Sequence, residues 1–198
     1  MPGAPNNPFF DSEPGGREVA PGPLALVQAF VNTREAERGL EALTAPGTLR
    51  RWLVERDILS GKENLREADV GRAREVREAL RVLLVANNGR AVDPRAVQTL
   101  NRTAGRARLE IRFGADGGTL LEPVSDGADG ALGRILAAVY AGMEQGTWQR
   151  LKVCRNEACR WAFYDRSKNR SGEWCSMAVC GNRKKIRTYR RRRGDREV

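Results

Sequence analysis

The sequence predicts a mainly α-helical protein with one small β-hairpin, followed by a small C-terminal module built on four cysteines. Three observations carry this reading. Apolar residues recur at helical spacing through most of residues 24–145, they alternate at strand spacing only around Leu109 to Leu121, and all four cysteines fall between Cys154 and Cys180. A chain of 198 residues corresponds to one domain, or to one domain plus a small module, and is long enough to bury a core.

Residues 1–23 hold six of the nine prolines and little that could pack, so a disordered leader is expected there. Helical periodicity starts at Leu24, with Leu24, Val27, Phe30 and Val31 on one face. After Pro46-Gly47 a second helix is expected over Thr48 to Leu59, burying Leu49, Trp52, Leu53 and Ile58. A long third helix runs from Glu67 to Val85 on the stripe Val70, Ala73, Val76, Leu80, Leu83 and Leu84, and Asn87-Asn88-Gly89 stops it. Asp93-Pro94 supplies an N-cap and a first-turn proline for a short helix through Leu100. The period then changes: Leu109, Ile111 and Phe113 alternate with Arg108, Glu110 and Arg112, and GADGG leads into Thr119-Leu120-Leu121, a hairpin pattern. A last helix is expected over Ala128 to Glu144, with Leu132, Ile135, Leu136, Val139 and Met143 facing inward, and Gly146 to Arg150 forms a short joint.

Composition closes several routes. The chain has no histidine, which removes imidazole bases, triads built on His and every metal site needing a His ligand. No paired-acid motif stands out, and GADGGTL and SDGADGALG lack the lysine of a phosphate-binding loop and read as turns. An enzyme is not expected. No apolar run approaches the ~20 residues of a membrane span, and the start of the chain lacks the basic and apolar stretches of a secretory signal. A cytoplasmic protein is the expectation. The net charge of +10 is unevenly placed: residues 150–198 hold 16 basic and 5 acidic residues, whereas residues 1–149 hold 19 and 20. Such an end suits a polyanion, most often nucleic acid.

The cysteines follow the pattern Cys154-x4-Cys159-x15-Cys175-x4-Cys180. Two close pairs of thiolates are what two turns need to clamp one tetrahedral zinc ion. Two disulfides suit an oxidising compartment, and an iron–sulfur cluster also takes four thiolates, but paired loops around a short hairpin suit a single ion better. The expected cofactor is therefore one structural Zn2+ held by Cys154, Cys159, Cys175 and Cys180. Four thiolates leave no position for water or substrate, so such an ion folds the module and does not catalyse.

Between the pairs, Trp161, Phe163 and Trp174 read as packing around the site, while Tyr164 is open between packing and base stacking. Arg166, Lys168 and Arg170 lie on an exposed turn suited to phosphate contact. After Cys180, helical spacing puts Arg183, Arg187 and Arg190 along one side with Lys184 and Arg191 beside them. A basic helix anchored at its first turn by a metal is a groove reader in form. Asn182 and Arg183 have the chemistry to read adenine and guanine, and Asn182 equally has the chemistry to turn the backbone beside the metal.

The runs CRNEACRWAFYDRSKNRSG and WCSMAVCGNRKK resemble the CGNR zinc-finger family, named for the residues that stand here as Cys180-Gly181-Asn182-Arg183. LALVQAFVNTR at 24–34, Leu49 with Trp52-Leu53, VREALRVLLVANNG at 76–89 and TWQRLKVC at 147–154 are similar to the ABATE domain, its usual partner. After the leader at 1–23, the resemblance implies a helical domain at 24–148 that senses an effector or mediates assembly, and a treble-clef-like zinc finger with a basic C-terminal helix at 149–198. It implies a stress-responsive bacterial transcriptional regulator, associated with the nucleoid, whose finger binds double-stranded DNA. Asn32 and Thr33 belong to the family pattern, either facing an effector pocket or forming a buried polar pair that fixes how the first helix docks. Ala29 stands where many members carry an acidic residue.

The leading expectation is a zinc-dependent DNA-binding regulator. The alternative is a zinc-stabilised module that docks on RNA or an acidic protein. A small effector is compatible with either, and the sequence leaves monomer and homodimer both open.

Overall fold

The computed structural model describes residues 19–186. Five helices and three two-stranded antiparallel sheets follow one another: α1 (Leu24–Val31), β1 (Arg34–Glu35), β2 (Leu40–Glu41), α2 (Pro46–Val54), α3 (Glu67–Ala86), α4 (Pro94–Ala107), β3 (Leu109–Phe113), β4 (Thr119–Pro123), α5 (Gly127–Glu144), β5 (Leu151–Val153) and β6 (Ala162–Tyr164). A 3-10 turn, Trp148–Arg150, precedes β5, and a π-turn, Met177–Gly181, leads into helical residues 182–186. No helix among the described residues is long and apolar enough to cross a membrane.

Local chemistry explains most boundaries. The Ala45 N–H donates to Thr48 Oγ1 (2.9 Å) at the start of α2. Asp69 reaches back to accept from the Arg66 N–H (2.7 Å) at the start of α3, and Asp93 accepts from the Arg95 N–H (2.9 Å) at the start of α4. The expected helix over Thr48–Leu59 ends five residues early because Asp57 adopts a left-handed φ of 54°, although Ile58 and Leu59 are still buried. The helix opened by Asp93-Pro94 continues seven residues past Leu100 and closes with Arg108 left-handed at φ 48°. The β1–β2 pair, which sequence periodicity does not mark, is only two residues long on each side.

Most of the expected leader lies outside the described residues. At its end the chain is already packed: Ala20 is buried and its N–H donates to Gln28 Oε1 (2.6 Å).

The main core gathers Leu24, Val27 and Phe30 of α1, Trp52 and Leu53 of α2, Val76, Leu80 and Leu84 of α3, and Ile135 and Val139 of α5. Helix α5 crosses α1 closely, and a Cβ at Gly142 would lie 2.5 Å from Leu24 Cδ2, so glycine sets that approach. The same core continues through Trp148 into Leu151, Val153 and Ala162 of the third sheet. The segment from Gly146 to Arg150, expected as a joint, is thus a packed connection.

That third sheet is mounted by side-chain amides and one guanidinium. The Cys154 N–H to Trp161 O bond (2.9 Å) and the Asp165 N–H to Arg150 O bond (2.7 Å) set the ladder phase, so Leu151, Val153 and Ala162 turn their backbone groups outward. Asn32 meets Ala162 twice: Nδ2 donates to its carbonyl (2.9 Å) and Oδ1 accepts from its N–H (2.8 Å). On the other edge, Asn87 Nδ2 donates to Leu151 O (2.8 Å) and Trp148 O (2.9 Å), and Asn88 Nδ2 donates to Val153 O (2.7 Å). Arg81, 2% exposed, donates to Val31 O and Arg160 O at 2.6 Å each, to Arg34 O at 3.3 Å and to Glu78 Oε2 at 3.1 Å. Burial pulls the Arg81 guanidinium down to about 10, with Glu78 opposing, so it stays charged at neutral pH. Next to it Arg77, equally buried, forms a bidentate pair with Glu41 (2.6 and 2.7 Å) and donates to Thr33 Oγ1 (3.2 Å).

Arg81→Met keeps the apolar stem but removes the donor from three carbonyls and one of the cations paired with Glu78, which keeps Arg77 at 3.0 Å. The expected loss is about 3–5 kcal/mol in urea unfolding. Asn32→Ala, which strands the Ala162 N–H and leaves its carbonyl only the longer bond from Gln28 Nε2 (3.4 Å), should cost about 1–3 kcal/mol. Losses below about 0.5 kcal/mol for both would show that these contacts do not hold the sheet.

Candidate metal centre and nucleic-acid interface

The hairpin β5–β6 places the first cysteine pair at its tip. Cys154 follows β5 directly, and the turn to β6 is closed by the Asn156 carbonyl, which accepts from the Cys159 and Arg160 N–H groups at 2.9 and 3.0 Å. Arg160 is left-handed at φ 48°, which swings the chain back into β6 and aims its own carbonyl at Arg81. The second pair comes from the other end of the loop. Cys175 precedes Ser176, whose Oγ accepts from the Val179 N–H (3.3 Å), and the π-turn then delivers Cys180 to the same point.

The four sulfurs lie within 4.8 Å of one another, all in buried residues. Cys159 and Cys175 Sγ are 3.6 Å apart, and Cys175 and Cys180 Sγ are 3.7 Å apart. That is far beyond a disulfide bond and matches the ~3.8 Å edge of a tetrahedron with Zn–S bonds of ~2.3 Å. None of the four cysteines is in a disulfide. Hydrogen bonds from the Cys159 and Cys175 thiols hold the Cys154 thiol down to about 4, while the same cluster pushes Cys175 above its ordinary range. Such a cluster can ionise fully only around a cation, so the donor set fits one structural zinc ion. Asn156 Nδ2, directed at Cys180 Sγ (3.7 Å), orients that ligand. Trp161 and Phe163 pack in the cluster of the cysteines, with Trp174 partly buried beside them.

A buried ion pair shapes the loop between the cysteine pairs. Lys152 Nζ donates to Asp165 Oδ2 (2.8 Å), with both side chains at most 5% exposed. Asp165 also accepts from the Ser167 N–H (2.9 Å) and the Gly172 N–H (2.8 Å). Burial opposes its ionisation, but Lys152, Ser167 and Gly172 outweigh that and hold the carboxyl down to about 2. A Cβ at Gly172 would sit 2.8 Å from that carboxylate, which explains the glycine. The loop so formed carries the cations read as phosphate contacts. Lys168 and Arg170 are exposed, and Arg166 lies over the half-buried Tyr164 ring, 5.6 Å from its centroid.

Beyond Cys180, residues 182–186 form an exposed helical turn. Asn182 Nδ2 donates to Ala178 O (3.2 Å), and Arg183 pairs with Glu37 from the β1–β2 turn. Glu37 and the negative cysteine cluster raise the Arg183 guanidinium above its ordinary value. Lys184 lines an open cleft with Arg90, Arg155, Glu173 and Trp174. A neighbouring cleft lies between the end of α3 and the knuckle, lined by Val82, Val85, Arg90 and Arg160. Asn32 and Thr33 line neither cleft; both are buried, Asn32 on Ala162 and Thr33 between the Phe30 carbonyl and Arg77. Arg187, Arg190 and Arg191 lie outside the described residues.

The sequence reading missed Asn156, Lys152, Asp165 and Arg81. A lysine between two apolar residues of a short strand, and an aspartate directly after an aromatic strand, are the signals that mark the Lys152–Asp165 pair.

Full-length protein purified with zinc should carry one zinc per chain in native mass spectrometry, and Cys180→Ser should lose it. A strong chelator should cost several kcal/mol of stability. Because β5 and β6 share the main core, the helical signal should also fall at a lower temperature without the metal. Unchanged helix melting would show that the two cores fold independently.

Comparison with known families agrees with this geometry. Residues 150–193 match the CGNR zinc finger, and residues 24–143 match the ABATE domain, described as a putative stress-induced transcription regulator. Among curated proteins no match was found. The match at 24–143 covers more than half of the chain: the protein belongs to the ABATE family and carries a CGNR zinc finger at its C-terminal end.

Proposed function

We propose that this chain is a zinc-dependent regulator of transcription that binds double-stranded DNA through the exposed end of its finger. The observation that carries the reading is the contrast between the two sides of the metal. The hairpin side is buried against α1 and α3 through Ala162, Leu151 and Val153, whereas Asn182, Arg183, Lys184 and Lys185 emerge exposed from the metal-clamped turn. Sixteen of the chain's 35 basic residues lie in this C-terminal quarter. Arg183 has the fork geometry that reads guanine, Asn182 the amide that reads adenine, and Lys184 is suited to phosphate. Arg187, Arg190 and Arg191 extend the same basic run, and Arg166, Lys168 and Arg170 add a second set of phosphate donors. The helical domain acts as the mount that orients the finger, and the chain is a binding protein with no catalytic step of its own.

Duplex DNA selected from a random pool by the zinc-loaded protein, at physiological salt, tests the reading. An enriched motif that chelator or Cys180→Ser abolishes is the expected result. Binding that is blind to sequence and collapses with salt, or that RNA or an acidic protein captures in preference, would sink it.

Arg183→Ala should weaken the preferred site about 5- to 100-fold and relax specificity at one position, whereas Lys184→Ala should weaken all sequences alike and reduce the salt slope by about one. The Glu37–Arg183 pair must open for Arg183 to reach a base. Glu37→Gln should therefore tighten DNA binding about two- to five-fold without altering the preferred motif. Weaker binding in that variant would mean that Glu37 positions Arg183 and does not mask it.

A further inference from the structure

The hairpin β3–β4 has no further strand on either edge among the described residues; Pro123 removes a donor from the β4 edge, whereas β3 keeps all of its own. The Gly114 N–H to Gly118 O bond (2.8 Å) and the Val124 N–H to Arg108 O bond (3.2 Å) set the phase of its ladder. In that phase Glu110 and Arg112 turn their backbone groups to β4, while Leu109, Ile111 and Phe113 turn theirs away from it. Among the described residues β3 has no second strand partner, and no loop or side-chain donor reaches those outward groups. The edge is apolar as well: Ile111 is 64% exposed and Phe113 80%, on the face that carries Leu109 and Leu121. An exposed, unpaired strand edge of this kind pairs readily with another strand.

We propose that the partner is a second copy of this chain, joined antiparallel through β3 about a two-fold axis at Ile111. The strand Leu109-Glu110-Ile111-Arg112-Phe113 complements itself in that register. Ile111 meets Ile111 of the partner subunit, and Leu109 meets the partner's Phe113, all through backbone groups that already face outward. Six new N–H···O bonds follow. Glu110 and the partner's Arg112 then fall in the positions where cross-strand side chains come closest. The adjacent in-phase registers are excluded by charge. One sets Glu110 against its own copy and Arg108 against Arg112, and the other sets Arg112 against its own copy.

The arrangement also answers an unfavourable feature of the single hairpin. Glu110 lies directly opposite Glu122 on β4, a like-charge pair, and Arg112 is only a distant neighbour at 3.9 Å. In the dimer the partner's Arg112 takes the other side of Glu110. The apolar face, which α5 covers at Leu109 and Pro123, becomes continuous across four strands, with two isoleucines at its centre between the two Leu121 side chains.

The test is native mass spectrometry and sedimentation of the zinc-loaded full chain at tens of micromolar, without nucleic acid. The wild type is expected at about 44 kDa, twice the 22.0 kDa chain. Glu110→Arg alone and Arg112→Glu alone should each sediment as monomers, because each sets like charges against each other twice. Mixing the two variants should restore a dimer, as should combining both substitutions in one chain. Both positions are exposed, and circular dichroism checks that the variants keep their helices. A monomeric wild type, single variants that remain dimeric, or a mixture that fails to associate would each overturn the proposal. It does not rest on DNA binding: a dimer with no preferred duplex sinks only the proposed function, and a monomer that selects a motif sinks only the dimer.

Discussion

The position of the metal module depends on Arg81. Its guanidinium is the point at which the end of α1, the strand β1 and the cysteine knuckle meet, through the carbonyls of Val31, Arg34 and Arg160. A buried cation is costly unless its donors are all used, and here Glu78 supplies the charge and three backbone acceptors the rest. The acceptors are chosen for the work. Val31 ends a helix, where the unpaired carbonyls carry partial negative charge, and Arg160 is left-handed, which turns its carbonyl inward. Arg77, one turn earlier on α3, does the same for Glu41 and Thr33, so a single helix face fixes β2, α1 and the finger together.

This mounting changes what the zinc ion must do. In a free-standing finger the metal supplies nearly all the folding free energy, since so short a segment cannot bury a core. Here Leu151, Val153 and Ala162 belong to the main core, and the metal organises only what lies beyond it: the knuckle, the Cys175–Cys180 turn and the exposed helical residues after it. The division of labour follows the side chains. Apolar residues of β5 and β6 point to the helices, and the cysteines and the aromatics Trp161 and Phe163 form a second small cluster.

What the sequence shows and hides follows the range of the forces involved. Periodicity marks α1, α3, α5 and the hairpin β3–β4 because one face of each element must be buried whatever its partners are. Cysteine spacing marks the ligands because the metal dictates it. The extension of α4 through Asn101 to Ala107 lacks a continuous apolar stripe, and β1–β2 is too short to have a period. The polar mount was illegible for a different reason. Asn87 and Asn88 read as helix breakers, which they are, yet their amides also hold Leu151 and Val153, and nothing local distinguishes the two roles. By sequence Asn32 suits either a pocket or a docking role, and its two bonds to Ala162 spend it on docking. Arg81 in an apolar helix stripe looks like any solvated arginine until its acceptors, 47 to 79 residues away, are known.

The treatment of strand edges argues beyond the individual contacts. A two-stranded sheet has two open edges, and this chain closes both edges of β5–β6 with side chains: Asn32 on Ala162, Asn87 and Asn88 on Leu151 and Val153. Leaving those buried backbone groups unpaired would cost more than the amides lose in water. The same chain leaves the β3 edge bare and sets Ile111 and Phe113 on it, without the proline, lysine or bulge that ordinarily protects such an edge. Chance exposure explains one apolar residue easily. It explains less well a strand whose outward backbone phase, apolar residues and opposite charges are all symmetric about Ile111. An edge that is covered in one sheet and complementary to itself in another is what the physics of pairing requires if the second is covered by assembly.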